Sequence, residues 1–160
     1  MAITYHSEYL KLQSVFITPV KHAFVSDNRI NQQWKALNYL ARPNLTNAFE
    51  EYEAFQAYLS QKNIQLLNFP LDSQVQIDSI YCRDASIATN FGMIICNMGK
   101  EGRSLEPQLH KQTYENCDIP ILGKIESPGT IEGGDVAWLD ESTLAVGHTY
   151  RTNLEGIRQI

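Results

Sequence analysis

At 160 residues and 43% apolar composition, the chain has the length of one domain and enough apolar residues to fill one core, which argues against a disordered or fibrous protein. Thirteen basic residues against eighteen acidic ones give a net charge of −5 with no run of lysine or arginine, so neither nucleic acid nor an anionic membrane surface is the expected partner. Cys82, Cys96 and Cys117 form no CxxC pair and no histidine-rich spacing, so they fit neither a disulfide framework nor a zinc site and read as buried thiols of a reducing compartment.

The first 13 residues are polar, without a basic start leading into an apolar run, and no apolar stretch reaches the length of a membrane span, so the expected location is cytoplasmic. Residues 14–20 form a β-branched run that predicts a strand, with Pro19 marking an edge. Residues 25–38, rich in Asn and Gln around Trp34 and Leu37, predict a loop with a single helical turn. Pro43-Asn44 opens a helix in which Leu45, Phe49, Tyr52, Phe55 and Leu59 recur at three- and four-residue steps, a core stripe opposite Glu50, Glu51 and Gln56. Asn44 or Thr46 caps it and Asn63 ends it.

A strand follows over residues 64–69 and a loop over 70–76, and then comes Ile77-Asp-Ser-Ile-Tyr-Cys-Arg-Asp84. From Ala85 an alternating run leads to a turn at Thr89-Asn-Phe-Gly92, and Met93-Ile-Ile-Cys96 returns as the second strand of a hairpin. A polar loop over 99–104 precedes a helix that starts near Glu106-Pro107, where proline suits a first turn, and runs to about Asn116. Residues 119–123 are the next strand. Residues 136–139 and 143–146 form a second hairpin across the turn 140–142. Histidines 6, 22 and 110 read as surface residues, and His148 as a polar contact at the end of that hairpin.

Between these elements lies Thr130-Ile-Glu-Gly-Gly-Asp135, followed by Arg151-Thr-Asn153. Glu132 and Asp135 flank two glycines that permit a tight turn without a Cβ clash. Two carboxylates beside a downstream guanidinium suit a flat cation that also carries an anion, which is the description of an arginine-like small molecule. The structural alternative is a turn rich in glycine and acid between two strands.

The order of elements repeats. A shift of 51 residues puts Asp84 on Asp135, the turn at Phe91-Gly92 on that at Ser142-Thr143, and Met93-Ile-Ile on Leu144-Ala-Val. Each copy is helix, strand, loop, acidic motif and hairpin, a module that buries its faces only against its siblings. Two full copies and part of a first are present. Residues 154–160 begin another helix, so the sequence is expected to be the N-terminal portion of one truncated domain.

Four segments, Asp78-Ser-Ile-Tyr-Cys-Arg-Asp84, Met98-Gly-Lys-Glu-Gly-Arg103, Thr130-Ile-Glu-Gly-Gly-Asp135 and Arg151-Thr-Asn153, resemble in order the guanidino-group-modifying, or pentein, superfamily of dimethylarginine dimethylaminohydrolases, arginine deiminases and amidinotransferases. The resemblance implies an α/β propeller of ββαβ modules, here about two to three of them, and a substrate-binding N-terminal part of an enzyme that hydrolyses the guanidino group of arginine or a methylated arginine. It implies that Asp84 pairs with the substrate guanidinium and that Glu132, the catalytic acid of this set, holds it and positions a histidine. Arg103 and Arg151 would bind the substrate carboxylate, Asp78 would shape the site and contact the substrate amine, and Asp135 would brace neighbouring backbone and arginines. The nucleophilic cysteine and the histidine of that mechanism are expected beyond Ile160, so the 160-residue chain alone is expected to be inactive.

Each residue has a structural alternative: Arg83 and Asp84 as a surface ion pair, Arg103 solvated in its loop, Asp78 capping a turn. Cys82 lies two residues before Asp84, on the same face of a strand if that segment is extended, and reads as a core residue, with a substitute nucleophile as the alternative. No metal or cofactor is required, because a guanidinium flanked by carboxylates is already electrophilic. An amidinotransferase of the same fold, or a non-catalytic module that binds ligand or assembles with its own copies, remains the alternative. The partner is a small guanidino compound, with a homo-oligomer open.

Overall fold

The structure, a computed structural model, describes residues 10–160, so the expectation for His6 lies outside the described residues. The chain divides into two compact units, residues 12–82 and residues 83–160, the second joined by residues 10 and 11. Among the described residues no helix is long and apolar enough to cross a membrane.

In the first unit β1 (Ser14–Ile17) and β2 (Gln65–Asn68) pair in parallel. A parallel pair needs a crossover, and α3 (Leu45–Gln61) supplies it, capped by the Asn44 side chain, which accepts from the Asn47 N–H at 3.0 Å. The stripe of α3 differs from expectation at one position. Phe55 is exposed and Gln56 half-buried, because at about 100° per residue position 56 falls nearer the centre of the face carrying Leu45, Phe49, Tyr52 and Leu59. The Phe55 ring meets that of Tyr52 edge-on, with centroids 5.6 Å apart.

Residues 25–38 are more ordered than a loop. After α1 (Val20–Ala23), preceded by Pro19, α2 (Asp27–Gln33) starts at Ser26, whose hydroxyl accepts from the Arg29 N–H at 3.2 Å. Ile30 and Leu37, with Trp34 partly buried beside them, then join Val20, Ala23, Phe24 and Ile77 in one core. The signal was a cap at Ser26 followed by Ile30, Trp34 and Leu37 at four- and three-residue steps. Ile77–Ile80 is a turn of 3-10 helix.

The second unit holds a complete ββαβ arrangement. β3 (Ser86–Thr89) and β4 (Gly92–Ile95) form the expected antiparallel hairpin, α4 (Glu106–Asn116) crosses over with Pro107 in its first turn, and β5 (Ile121–Lys124) returns parallel to β4. Gly92 has φ +141°, and a Cβ on it would lie 2.5 Å from the Pro120 carbonyl oxygen, so the corner where the hairpin meets β5 admits only glycine. A second hairpin, β6 (Val136–Trp138) with β7 (Leu144–Val146), follows, and α5 (Leu154–Gln159) ends the described chain.

The internal repeat is visible in these elements. A 3-10 turn, Cys82–Ala85, carries Asp84 into the first hairpin, and a 3-10 turn, Gly133–Asp135, carries Asp135 into the second. Residues 82–85 are therefore not a strand, and the alternation that would put Cys82 and Asp84 on one face does not apply. Ala85, Ile87, Cys96, Met98, Ile125, Ile131 and Val136 make the core that holds both turns.

Candidate functional site

Asp84 and the 132–135 motif meet because glycine removes the atoms that would keep them apart. A Cβ on Gly133 would lie 2.3 Å from the Arg83 carbonyl oxygen and 2.8 Å from that of Ser86, and one on Gly134 would lie 2.4 Å from Asp84 Oδ1. The two glycines are thus required by close approach of one acidic turn to the other. Arg83, whose alternative role was a surface ion pair with Asp84, donates from Nη2 to the Val136 carbonyl at 2.7 Å, tying the turn to β6.

The partner of Asp84 is Arg103, whose Nη1 donates to Asp84 Oδ2. Arg103 stands in a 3-10 turn, Glu101–Arg103, and its side chain is only 2% exposed, not solvated in a loop. Its other face is taken by Glu106, with Nε to Oε1 at 2.9 Å and Nη2 to Oε2 at 2.6 Å. This is a bidentate pair in which the planar guanidinium matches a carboxylate. Burial works against the charged guanidinium, but the bonds and charge of Glu106, then of Asp84, outweigh it and hold Arg103 above its usual range. Asp84 itself is 18% exposed at the side chain, and its Oδ1 has no hydrogen-bond donor among the described residues.

Glu132 and Arg151 form the second acid–arginine pair. Arg151 Nη1 donates to Glu132 Oε2 at 2.8 Å, and the Lys100 backbone N–H donates to Oε1 at 3.1 Å. The hydrogen bond that Arg151 donates to Glu132, then the charge of that carboxylate, raises Arg151 above its usual value against the opposing effect of partial burial. The two residues after Arg151 clasp the acidic motif from outside. Thr152 Oγ1 accepts from the Glu132 N–H at 3.1 Å and donates to Asp135 Oδ2 at 2.6 Å, and the Thr149 hydroxyl donates to the same oxygen at 2.8 Å. Asn153 accepts from the Thr130 N–H at 3.1 Å while capping α5 through the Gly156 N–H at 2.8 Å. Asp135 is held by hydroxyls and backbone geometry, with no arginine among its hydrogen-bond partners in the described residues.

Two residues beside this site were not anticipated. Glu106, an acid in the first turn of α4, is buried, and His110, expected at the surface, is buried one turn further along the same face. His110 Nδ1 lies 3.2 Å from Ser86 Oγ, which is 2.8 Å from the Tyr114 hydroxyl. Burial, then the Arg103 charge, pushes His110 down to about 3, so at neutral pH it is an uncharged hydrogen-bonding group.

Asp78 belongs to the first unit, buried in the turn Ile77–Ile80, where burial, then the Asp78 charge, then Tyr81, push the Tyr39 phenol above its usual range. His148 is exposed, and half-buried His22 lies with Nδ1 2.8 Å from the Phe69 carbonyl oxygen. Of the cysteines only Cys96 is buried, with its thiol pushed up chiefly by burial; Cys82 is intermediate and Cys117 is exposed, so the reading of three buried thiols holds for one. Among the described residues no three His, Cys, Asp or Glu side chains are grouped to hold a metal ion.

Residues 77–160, more than half of the chain, match the arginine deiminase family. The N(G),N(G)-dimethylarginine dimethylaminohydrolase of Pseudomonas aeruginosa is 28% identical over 123 residues, which covers 77% of this chain and 48% of that protein. A solved cysteine-to-serine mutant of the dimethylarginine dimethylaminohydrolase from Pseudomonas aeruginosa, complexed with citrulline, is 25% identical with a TM-score of 0.75, over 94% of this chain and 55% of that one. An amidinotransferase from Microseira wollei, 13% identical, shares the fold with a TM-score of 0.69 over 99% of this chain and 58% of its own. The chain thus spans about half the length of these relatives, and matches part of a mixed α/β fold common to them. By the match over residues 77–160, the chain belongs to the arginine deiminase family, within the pentein superfamily of guanidino-group-modifying enzymes that its four ordered motifs resemble.

Proposed function

We propose that residues 1–160 are the substrate-binding part of a hydrolase that acts on the guanidino group of arginine or a methylated arginine, within an α/β propeller of ββαβ modules. The observation that carries this reading is the pair of acids Asp84 and Glu132, each joined to an arginine in the same unit, with Gly133 and Gly134 letting one acidic turn lie against the other. A ligand guanidinium has N–H donors on several edges, and two carboxylates on separate turns can accept from more than one of them. The name of the 28% identical relative and the citrulline in the 25% identical structure support the same ligand class.

In the proposed reaction a cysteine thiolate, supplied from outside residues 1–160, adds to the guanidinium carbon. The amine leaves with a proton from a general acid, and water then attacks the thiouronium carbon to release thiolate and a ureido product. Asp84 and Glu132 hold the positive charge in place and align the carbon, while Arg151 meets the substrate carboxylate. Asp135 keeps Thr149 and Thr152 in position. Arg103, first expected on the carboxylate, is proposed to act through Asp84, because all three of its donor positions that bond acids are already turned inward. For Asp78 the support is the resemblance alone.

Calorimetric titration of the 160-residue protein with L-arginine, asymmetric dimethylarginine and L-citrulline tests the reading. Saturable binding that is lost in both Asp84→Ala and Glu132→Ala, with no citrulline produced by the unaided chain, is expected. Absence of binding to any of the three would sink the assignment of ligand class, and turnover by the 160-residue chain would sink the placement of the nucleophile outside it.

A further inference from the structure

The acids and arginines of the site are not matched one to one. Glu132 meets Arg151 through the 2.8 Å bond to Oε2. Arg103 meets two acids: Glu106 takes Nε and Nη2 at 2.9 and 2.6 Å, and Asp84 takes Nη1. These three side chains are graded by depth, with Glu106 1% exposed, Arg103 2% and Asp84 18%, so Glu106 lies behind the arginine and Asp84 is the member that reaches the surface. Helix α4 makes that placement favourable. Glu106 stands in its first turn, where the helix dipole favours a negative charge. One turn further along, buried His110 is uncharged at neutral pH and brings Glu106 no second cation.

Charge decides what Asp84 presents to a ligand. With Arg103 alone, Asp84 would be half of a neutral pair, and a guanidinium arriving there would find its charge unmatched. Glu106 already answers Arg103 with two bonds at a depth where water screens little, which leaves the charge of Asp84 in surplus. Resting on the ligand class proposed above, we propose that Glu106 is a specificity-determining residue that acts through Arg103: it neutralises the arginine, so that Asp84 meets the ligand as an uncompensated anion and the site prefers a guanidinium cation to a neutral ureido compound. Glu106 needs no contact with the ligand to do this. Asp84 Oδ2 accepts from Arg103, so Oδ1 is the oxygen that faces the guanidinium. In the proposed reaction the substrate is a cation and the ureido product is neutral, so the surplus charge holds the one and lets the other go.

The test measures L-arginine and its neutral ureido analogue L-citrulline by calorimetric titration on wild type, on Glu106→Gln, and on Arg103→Met combined with Glu106→Leu, with circular dichroism to verify folding. The two ligands share a carboxylate and an ammonium, so their affinity ratio reports the charge at the guanidino end. Wild type is expected to favour L-arginine by about tenfold or more. Glu106→Gln keeps the side-chain length and an acceptor but makes the three side chains neutral in sum, and the ratio should fall by about tenfold, chiefly through weaker L-arginine binding. The double variant replaces the buried pair by apolar groups of similar size, a change that buried pairs often tolerate, and leaves one negative charge on Asp84. Its ratio should therefore lie within about threefold of wild type. A merely structural role for Glu106 would weaken both ligands together and leave the ratio unchanged. An unchanged ratio in folded Glu106→Gln, equal binding of the two ligands to wild type, or loss of the ratio in the folded double variant overturns the proposal while the ligand class stands. No binding of either ligand to any of the three proteins overturns both. The double variant keeps the proposal open to refutation where Glu106→Gln does not fold.

Discussion

Replacing Glu106 with alanine probes how far the site depends on a residue that no ligand needs to touch. Glu106 and Arg103 are 1% and 2% exposed at their side chains, so solvent screens their interaction little, and the pair is bidentate at 2.9 and 2.6 Å. Glu106→Ala leaves Arg103 Nε and Nη2 buried without these acceptors, and truncating one partner of a buried charged pair typically costs about 3–5 kcal/mol. Arg103 keeps Asp84, so the guanidinium is still compensated and the lower end, about 3 kcal/mol, is expected. Asp84→Ala should cost less, about 1–2 kcal/mol, because Asp84 is partly exposed and Arg103 retains both bonds to Glu106. Urea unfolding of both variants, read at constant slope, gives the comparison, and their double mutant gives the coupling through Arg103. The functional ranking should be the reverse, with Asp84→Ala abolishing guanidino-ligand binding and Glu106→Ala weakening it. A Glu106→Ala protein no less stable than Asp84→Ala would refute the picture of Arg103 as an internally anchored arm.

Other outcomes follow from single contacts. Gly134→Ala places a methyl where Asp84 Oδ1 now lies, and because Arg103 holds that carboxylate, ligand binding measured by calorimetry should fall by about tenfold or more with a stability loss of about 1–3 kcal/mol; unchanged affinity would contradict the contact. Gly92→Ala combines φ +141° with a Pro120 oxygen 2.5 Å away, and should lower stability by about 2 kcal/mol or more in thermal or urea unfolding, an effect a well-tolerated alanine would exclude. His110 gives a pH signature. Its folded value of about 3 lies below the ordinary 6.5, so the unfolded chain takes up the proton first, and stability is lost as pH falls from about 6.5 toward 3. Relative to His110→Gln, wild type should lose roughly 2–3 kcal/mol between pH 7 and pH 4.5, seen as urea midpoints that converge or cross; parallel pH curves would rule the buried neutral histidine out.

Both hairpins, α4 and the acidic motif were readable along the chain because their signals are local. Period-two alternation around Asn90-Phe91, proline in the first turn of α4, and two acids around a glycine pair each involve a few consecutive residues. The repeat of 51 residues was readable for the same reason, since it compares local patterns with each other. The loop expected at 25–38 holds one seven-residue helix, α2, against a core, because Ser26 and the apolar residues after it were outweighed by the surrounding Asn and Gln. The buried face of α4 escaped notice for a related reason. Residues 106, 109, 110, 113 and 114 have helical spacing, but four of them are Glu, His, Thr and Tyr, and a count of apolar residues does not register a polar stripe that finds its partners inside.

By itself the sequence determined a mixed α/β chain, the order of its elements, and four ordered motifs that resemble the guanidino-group-modifying superfamily. Only the tertiary structure decided which acid meets which arginine: Asp84 with Arg103 and Glu106, Glu132 with Arg151, Asp135 with two threonine hydroxyls. The reason is physical. Charge and residue type are properties of a position, whereas burial, pairing and freedom to move depend on which turns are pressed together, and here glycines 133 and 134 set that approach.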